Sequence, residues 1–327
     1  SVFFTHTPIS LQKNTSSGHR MNSTALHAKY KLEHITDYNY EFPVSYSHHA
    51  AHLKPSNKTY QKCKEHRTTI TPAPSNKHHY IDYFGNAVEF FSVEEKHSQL
   101  RVRSESSVLV SKRNIPSAKQ SVTCDRVIDY LDQIDSPIEV QQYLFASEAT
   151  SHSPLIRAFA HTYFRPNNNF LVACSRLAHD IFEEFKFDNA ATDVSTPVDQ
   201  VLSQRRGVCQ DFAHLMIACI RSCHLPARYV SGYILTQAPE SQERLIGADA
   251  THAWVSIYLP GFGWVDMDPT NAQMCDTDYI TIATGRDFKD VSPIKGSVIG
   301  GGKQTVSVQV TVTPETLKSP KKIPLET

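Results

Sequence analysis

Cys209 stands between Gly207 and a long apolar run, in the stretch Arg205-Arg206-Gly207-Val208-Cys209-Gln210-Asp211-Phe212-Ala213-His214. A thiol placed there begins a helix. Unpaired backbone N–H groups and the macrodipole at a helix start favour the thiolate, the nucleophilic form. Gly207 permits close approach to that helix start. A nucleophile of this kind needs a base and a group to orient the base. The sequence offers His252, in Asp249-Ala250-Thr251-His252-Ala253-Trp254, and Asp268, in Gly263-Trp264-Val265-Asp266-Met267-Asp268-Pro269-Thr270-Asn271. The chemistry these three types support is thiol-based acyl transfer. The Cys209 N–H is the first candidate donor to an oxyanion, and the Gln204 side chain is a weaker candidate for the second.

Strand parity tests whether His252 and Asp268 can meet. His252 opens an apolar strand on which His252, Trp254, Ser256 and Tyr258 share one face. Asp268 ends the next strand, after the turn Pro260-Gly261-Phe262-Gly263. Antiparallel pairing about an odd-length loop, Pro260–Phe262 or Leu259–Gly263, sets residues whose numbers sum to 522 opposite each other. His252 then faces Thr270, and Asp268 is its diagonal neighbour, roughly 7–8 Å away at the backbone. An even-length loop without a bulge would put the two side chains on opposite faces. The pairing therefore demands an odd connection or a bulge.

Rivals for each role have plainer readings. Asp266 shares the parity of Asp268 but lies one pair further from His252, and reads as a solvated strand residue. Asp249 sits on the loop before His252. His214 reads as an i,i+3 partner of Asp211 on a semi-buried helix face. Cys219 and Cys223 fall on the apolar stripe of the Cys209 helix and read as small buried hydrophobes.

The positioning elements follow from periodicity. Residues 1–26, which include Met21, are expected to be a disordered extension. Residues 27–111 are β-rich, with strands predicted at His27–Thr36, Arg67–Thr71, Lys77–Tyr83, Ala87–Val93 and Leu100–Val110, and a hairpin turn at Phe84-Gly85-Asn86. A small antiparallel sandwich fits them. Residues 112–153 read as a linker passing into a helical layer, with a weak helical patch at Val127–Leu131. The span 154–313 reads as a catalytic core. Its helices are predicted at Pro154–Phe164, Phe170–Phe185, Pro197–Gln204 and from Cys209 to Pro226. Its strands are predicted at Ala227–Leu235, His252–Leu259, Trp264–Met267 and Thr305–Thr313. Residues 314–327 are expected to be a disordered tail. The class is α+β, a buried helix packed on an antiparallel sheet.

Composition excludes several functions. Lys and Arg number 33 against 33 Asp and Glu, so no basic footprint for nucleic acid is present. No apolar run is long enough to span a bilayer, and Val2-Phe3-Phe4 lacks the flanks of a secretory signal. Seven cysteines, an odd count at irregular spacing, argue for a reducing, cytoplasmic setting over a disulfide framework. The 17 histidines include His48-His49 and His78-His79, but no CxxC or HExxH spacing supports a metal. Oligomeric state leaves no mark in the sequence.

Cysteine, then histidine, then aspartate is also the chain order of papain-like folds. Beyond that order, the chain closely resembles bacterial transglutaminase-like proteins, whose core is related to papain-like cysteine proteases. The resemblance runs from about Ala28 to Val312 and rests on five motifs: Arg205–Leu215, Pro226–Tyr233, Thr251–Val255, Gly263–Asn271 and Gly285–Asp290. Asp82-Tyr83-Phe84-Gly85-Asn86 resembles part of the N-terminal domain that accompanies this core in bacteria. The resemblance implies Cys209 as nucleophile, His252 as base and Asp268 as third member. It implies a peptide or protein amide as substrate, an amine or water as acceptor, and no cofactor. Animal relatives use calcium, but no EF-hand pattern appears here. Asp266 departs from the small residue more usual at that position. Relatives of this core crosslink, hydrolyse or are inactive, so transfer, peptidase action and a silent binding role on the same fold are all consistent with it.

Overall fold

The computed structural model describes residues 26–133, 136–188, 196–235 and 251–315. Residues 1–25 of the N-terminal extension, most of the tail and the rival Asp249 lie outside the described residues.

The first unit is built around one strand. β1 (His27–Ala51) is 25 residues long, and over Tyr30–Tyr40 its even-numbered residues are all buried. β2 (Gln61–Thr71), β3 (Asn76–Ile81), β4 (Ala87–Val93) and β5 (His97–Ser111) follow. They form an antiparallel sheet of order β2-β5-β1-β4-β3. The antiparallel unit expected from the sequence is realised as one curled sheet of seven strands, because the chain's end returns to it. β13 (Ile294–Gly300) and β14 (Gln304–Glu315) both pair with β1. The expected core span of 154–313 is corrected on this point, since its last two strands complete the N-terminal sheet. Pro314 and Glu315, expected in the tail, continue β14.

Between β5 and the second sheet the chain forms helices α1 (Cys124–Leu131), α2 (Ile138–Gln141), α3 (Pro154–Ala160), α4 (Phe170–Glu184), α5 (Val198–Gln204) and α6 (Cys209–Ser222). Short strands β6 (Lys186–Phe187) and β7 (Arg206–Gly207) pair in parallel just before α6. Every residue of α6 from Asp211 to Ser222 is buried, so this helix is the centre of the core. It packs on the second sheet, made of β8 (Ala227–Ile234), β9 (Thr251–Leu259), β10 (Gly263–Asp268), β11 (Gln273–Met274) and β12 (Tyr279–Gly285), in the order β11-β10-β9-β8-β12. The short helix α7 (Phe288–Val291) leads back to the first sheet.

The two units share a core. Tyr30, Leu32, Val108 and Val110 of the first sheet belong to the same apolar cluster as α6 and β9. The seam also satisfies the outer edge of β12, which would otherwise expose unpaired backbone groups. Gln61 donates to the Thr281 carbonyl at 2.7 Å and accepts from its N–H at 2.8 Å. Asn86 does the same for Thr284, at 2.9 and 2.8 Å. Each side-chain amide thus stands in for one residue of a neighbouring strand. Asn86 is fixed by the turn seen in the sequence. Gly85 has φ +82°, and Asp82 accepts from the Phe84 and Asn86 amides.

Asn86→Ala removes two hydrogen bonds from the buried Thr284 backbone. A loss of about 2–3 kcal/mol in unfolding free energy is expected, measured by urea denaturation.

Candidate active site

The connection between β9 and β10 is the odd one. Gly263 pairs Leu259, Trp264 pairs Tyr258, Val265 pairs Ile257, Asp266 pairs Ser256 and Met267 pairs Val255. Every pair sums to 522, and residues 260–262 form the loop. Gly261 in the loop and Gly263 at the start of β10 have positive φ values, +77° and +100°. His252 and Asp268 therefore lie on one face, and His252 Nε2 meets Asp268 Oδ2 at 2.7 Å.

Asp268 is fully buried and heavily hydrogen-bonded. Its Oδ1 accepts from the Thr270 N–H at 2.8 Å. Its Oδ2 accepts from Asn271 Nδ2 at 2.6 Å and from the Tyr279 hydroxyl at 2.7 Å, besides His252. Tyr279 in turn accepts from Gln273 Nε2 at 2.7 Å. Burial alone would raise this carboxyl. The charge and hydrogen bond of His252, with those of Asn271 and Tyr279, outweigh it and hold the group below the usual carboxylate range.

Cys209 is the first residue of α6, directly after Val208, and is half-buried. Its thiol is near enough to the His252 ring to shift its titration. Nε2 is taken by Asp268, and Nδ1 is buried with no hydrogen-bond partner among the described residues. Burial pulls His252 down, but Asp268 and Cys209 outweigh it and push the imidazole up to about 10. The ring therefore keeps its proton at neutral pH.

Two glycines of the motifs have steric reasons. A Cβ on Gly207 would meet Asp211 Oδ2 at 2.7 Å. That carboxylate accepts from the Val208 N–H at 2.8 Å and so fixes the entry to α6. The left-handed residue at this corner is Arg205, with φ 48°, and Gly207 serves close approach alone. Gly232 lies opposite His252, and a Cβ there would meet the Trp254 ring at 2.4 Å.

The other residues singled out from the sequence fall elsewhere. Gln204 is exposed at the last turn of α5. Asp266 is not a solvated strand residue. It is buried and ion-paired to Arg113, and it accepts from Trp254 Nε1 at 3.2 Å. Residues 112–153 are accordingly no loose linker at their start, where Arg113 is buried. His214 is fully inside the core, where its Nε2 accepts from the Phe288 N–H at 3.1 Å and its ring lies 4.9 Å from that of Tyr229. Burial lowers it to about 4, against the pull of Asp287. Tyr279 and Gln273 are not foreseen by the sequence reading. Asn271 lies inside the Gly263–Asn271 motif, but Tyr279 lies on another strand, and no local spacing ties it to Asp268.

A helix-borne thiol beside a histidine–carboxylate pair on an antiparallel sheet is the layout of thiol enzymes. Comparison with known proteins makes the class specific. Residues 30–109 match the bacterial transglutaminase-like N-terminal region, and residues 157–269 match the transglutaminase-like superfamily. The chain belongs to that superfamily. An uncharacterised protein of Mycobacterium tuberculosis (strain H37Rv) is 36% identical over 296 residues, covering 88% of this chain and 93% of the relative. A protein-glutamine gamma-glutamyltransferase of Pseudomonas aeruginosa is 28% identical over 123 residues, 36% of this chain and 18% of that protein. Among solved structures, a candidate cysteine protease from Cytophaga hutchinsonii shares the fold. Its TM-score is 0.71 at 19% identity, covering 90% of this chain and 94% of that one.

The raised His252 group gives a pH signature. Its contribution to stability is complete below its ordinary value of 6.5 and is lost as pH rises through about 10. Urea midpoints of the wild type minus those of His252→Gln should therefore decline across that window. Gly207→Ala should lose about 1–2 kcal/mol of stability by displacing the Asp211 cap, read by thermal unfolding.

Proposed function

We propose that this protein is a thiol acyltransferase acting on amide groups of peptides or proteins, with Cys209, His252 and Asp268 as its catalytic residues. The observation that carries the proposal is the buried His252 ring, held by Asp268 on Nε2 with Nδ1 left unbonded among the described residues, and shifted in its titration by Cys209 at the start of α6. Asp268 orients the ring and stabilises its charged form. Its own carboxylate is kept ionised by His252, Asn271 and Tyr279.

The sequence of steps balances with these groups alone. The Cys209 sulfur, having passed its proton to His252, adds to the amide carbonyl. The Cys209 N–H at the start of α6 faces the developing oxyanion. His252 gives its proton to the departing nitrogen, the C–N bond breaks, and ammonia or an amine leaves. A thioester on Cys209 remains. An incoming amine or water loses a proton to His252 and adds to the thioester, and the sulfur departs. An amine gives transamidation and water gives hydrolysis. The similarity to a protein-glutamine gamma-glutamyltransferase supports a glutamine-type amide as the first substrate to try.

The test incubates the protein with a glutamine-containing peptide, with and without a fluorescent primary amine. Ammonia release and amine incorporation are expected, each falling about 10⁴-fold in Cys209→Ala. Ammonia release without incorporation would identify a hydrolase on the same triad. Turnover that survives Cys209→Ala would contradict the proposal, as would a wild type inert in both assays.

A further inference from the structure

The reaction proposed above leaves Asp266 without a role, although it is buried on the same sheet as His252 and Asp268. It belongs to a polar chain that begins at Arg113. Arg113 leaves the first sheet two residues after β5 and is itself buried. Its backbone N–H donates to Asp276 Oδ1 at 2.9 Å, and its guanidinium lies 4.0 Å over the Tyr60 ring. So anchored, its two terminal nitrogens part. Nη1 is ion-paired to Asp266 Oδ2, and Nη2 donates to the Tyr279 carbonyl at 2.9 Å.

Each branch leads to the His252–Asp268 pair. On the first, Asp266 Oδ2 also accepts from Trp254 Nε1 at 3.2 Å, and the Trp254 ring lies 6.1 Å from the His252 ring. On the second, the Tyr279 hydroxyl donates to Asp268 Oδ2 at 2.7 Å, and the Tyr279 ring also lies 6.1 Å from His252. Trp254 and Tyr279 meet edge to face at 5.3 Å. One guanidinium thus ties together the two aromatic rings beside the imidazole. Burial would raise Asp266, but the Arg113 and Arg228 charges outweigh it and hold it below the usual carboxylate range. Arg113 therefore faces an ionised partner.

A buried ion pair is often no more stabilising than well-packed apolar side chains of similar volume. Stability alone does not account for this one. A planar guanidinium holds two acceptors in fixed directions, which an ammonium does less well. We propose that Arg113 is a positioning residue: by holding Asp266 and the Tyr279 carbonyl together, it keeps Trp254 and Tyr279 against the His252–Asp268 pair. The role rests on the reading of that pair as catalytic. It makes reactivity at Cys209 depend on a side chain delivered by the first unit.

The test uses the full chain with Arg113→Met, with Arg113→Lys, and with Arg113→Met combined with Asp266→Asn, which removes both charges of the pair. Urea unfolding identifies the folded variants, and the double variant stands in if Arg113→Met does not fold. Timed alkylation by iodoacetamide then reads Cys209 against Cys63 in the same sample. The Cys209 rate should fall about 10-fold in Arg113→Met and in the double variant. Arg113→Lys, which keeps the charge facing Asp266, should recover to within about threefold of the wild type. A second readout does not involve Cys209. It is the His252 ring proton shared with Asp268, observed by proton NMR and assigned by its absence in His252→Gln. Its exchange with water should quicken about 10-fold in the same variants, as a local opening becomes easier. Either readout at its wild-type value in a folded variant would overturn the role, as would an Arg113→Lys no better than Arg113→Met. Should His252→Ala alkylate at the wild-type rate, the catalytic reading itself fails, and the ring proton alone decides Arg113.

Discussion

The hydrogen bond between His252 and Asp268 is buried on both sides, and the rest of the structure is arranged to make it tolerable. Taking a carboxylate and an imidazolium out of water costs several kcal/mol each, and mutual attraction offsets this only when remaining lone pairs are satisfied. Here they are. Thr270, Asn271 and Tyr279 all donate to Asp268. The pair also needs one strand register. A shift of one residue between β9 and β10 would turn Asp268 to the opposite face. The three-residue loop at 260–262, with positive-φ glycines at 261 and, just after it, at 263, sets that register.

The N-terminal sheet takes part through β12. Tyr279 begins that strand, and the same strand is edged by Gln61 and Asn86 from the first unit. The Tyr30 hydroxyl reaches the Thr277 carbonyl, two residues before Tyr279, at 3.0 Å. The first sheet thus steadies the strand that carries a donor to the Asp268 carboxylate. It does so through side chains that replace a missing neighbouring strand. Because β13 and β14 return to β1, the chain closes on itself around the seam. The two units are coupled by backbone pairing as well as by packing.

The site was largely legible because its signals are local. A glycine corner followed by a cysteine and an apolar helix is readable within ten residues. Strand parity then ties His252 to Asp268 through a short connection. What escaped was non-local. Tyr279 reaches Asp268 from a different strand, and Arg113 reaches Asp266 from more than a hundred residues away in the chain. Asp266 looked solvated because its counter-ion was invisible. In the fold, the first strand, expected at His27–Thr36, runs on through Asp37, Asn39, Glu41 and Pro43. They sit on the outward face of a longer strand whose inward face stays buried at Tyr38, Tyr40 and Val44. β12 escaped because all seven of its residues are buried and show no alternation.

Whether His252 and Asp268 make Cys209 a nucleophile can be measured directly. All seven cysteines are free, and Cys209 and Cys63 share intermediate exposure while the other five are buried. Timed alkylation with iodoacetamide at neutral pH, followed by peptide mass spectrometry, compares them in one sample. Cys209 should be modified well ahead of Cys63, whose thiol is raised by burial, and its lead should disappear in His252→Ala. Equal rates at Cys63 and Cys209, or a Cys209 rate indifferent to His252, would contradict that role.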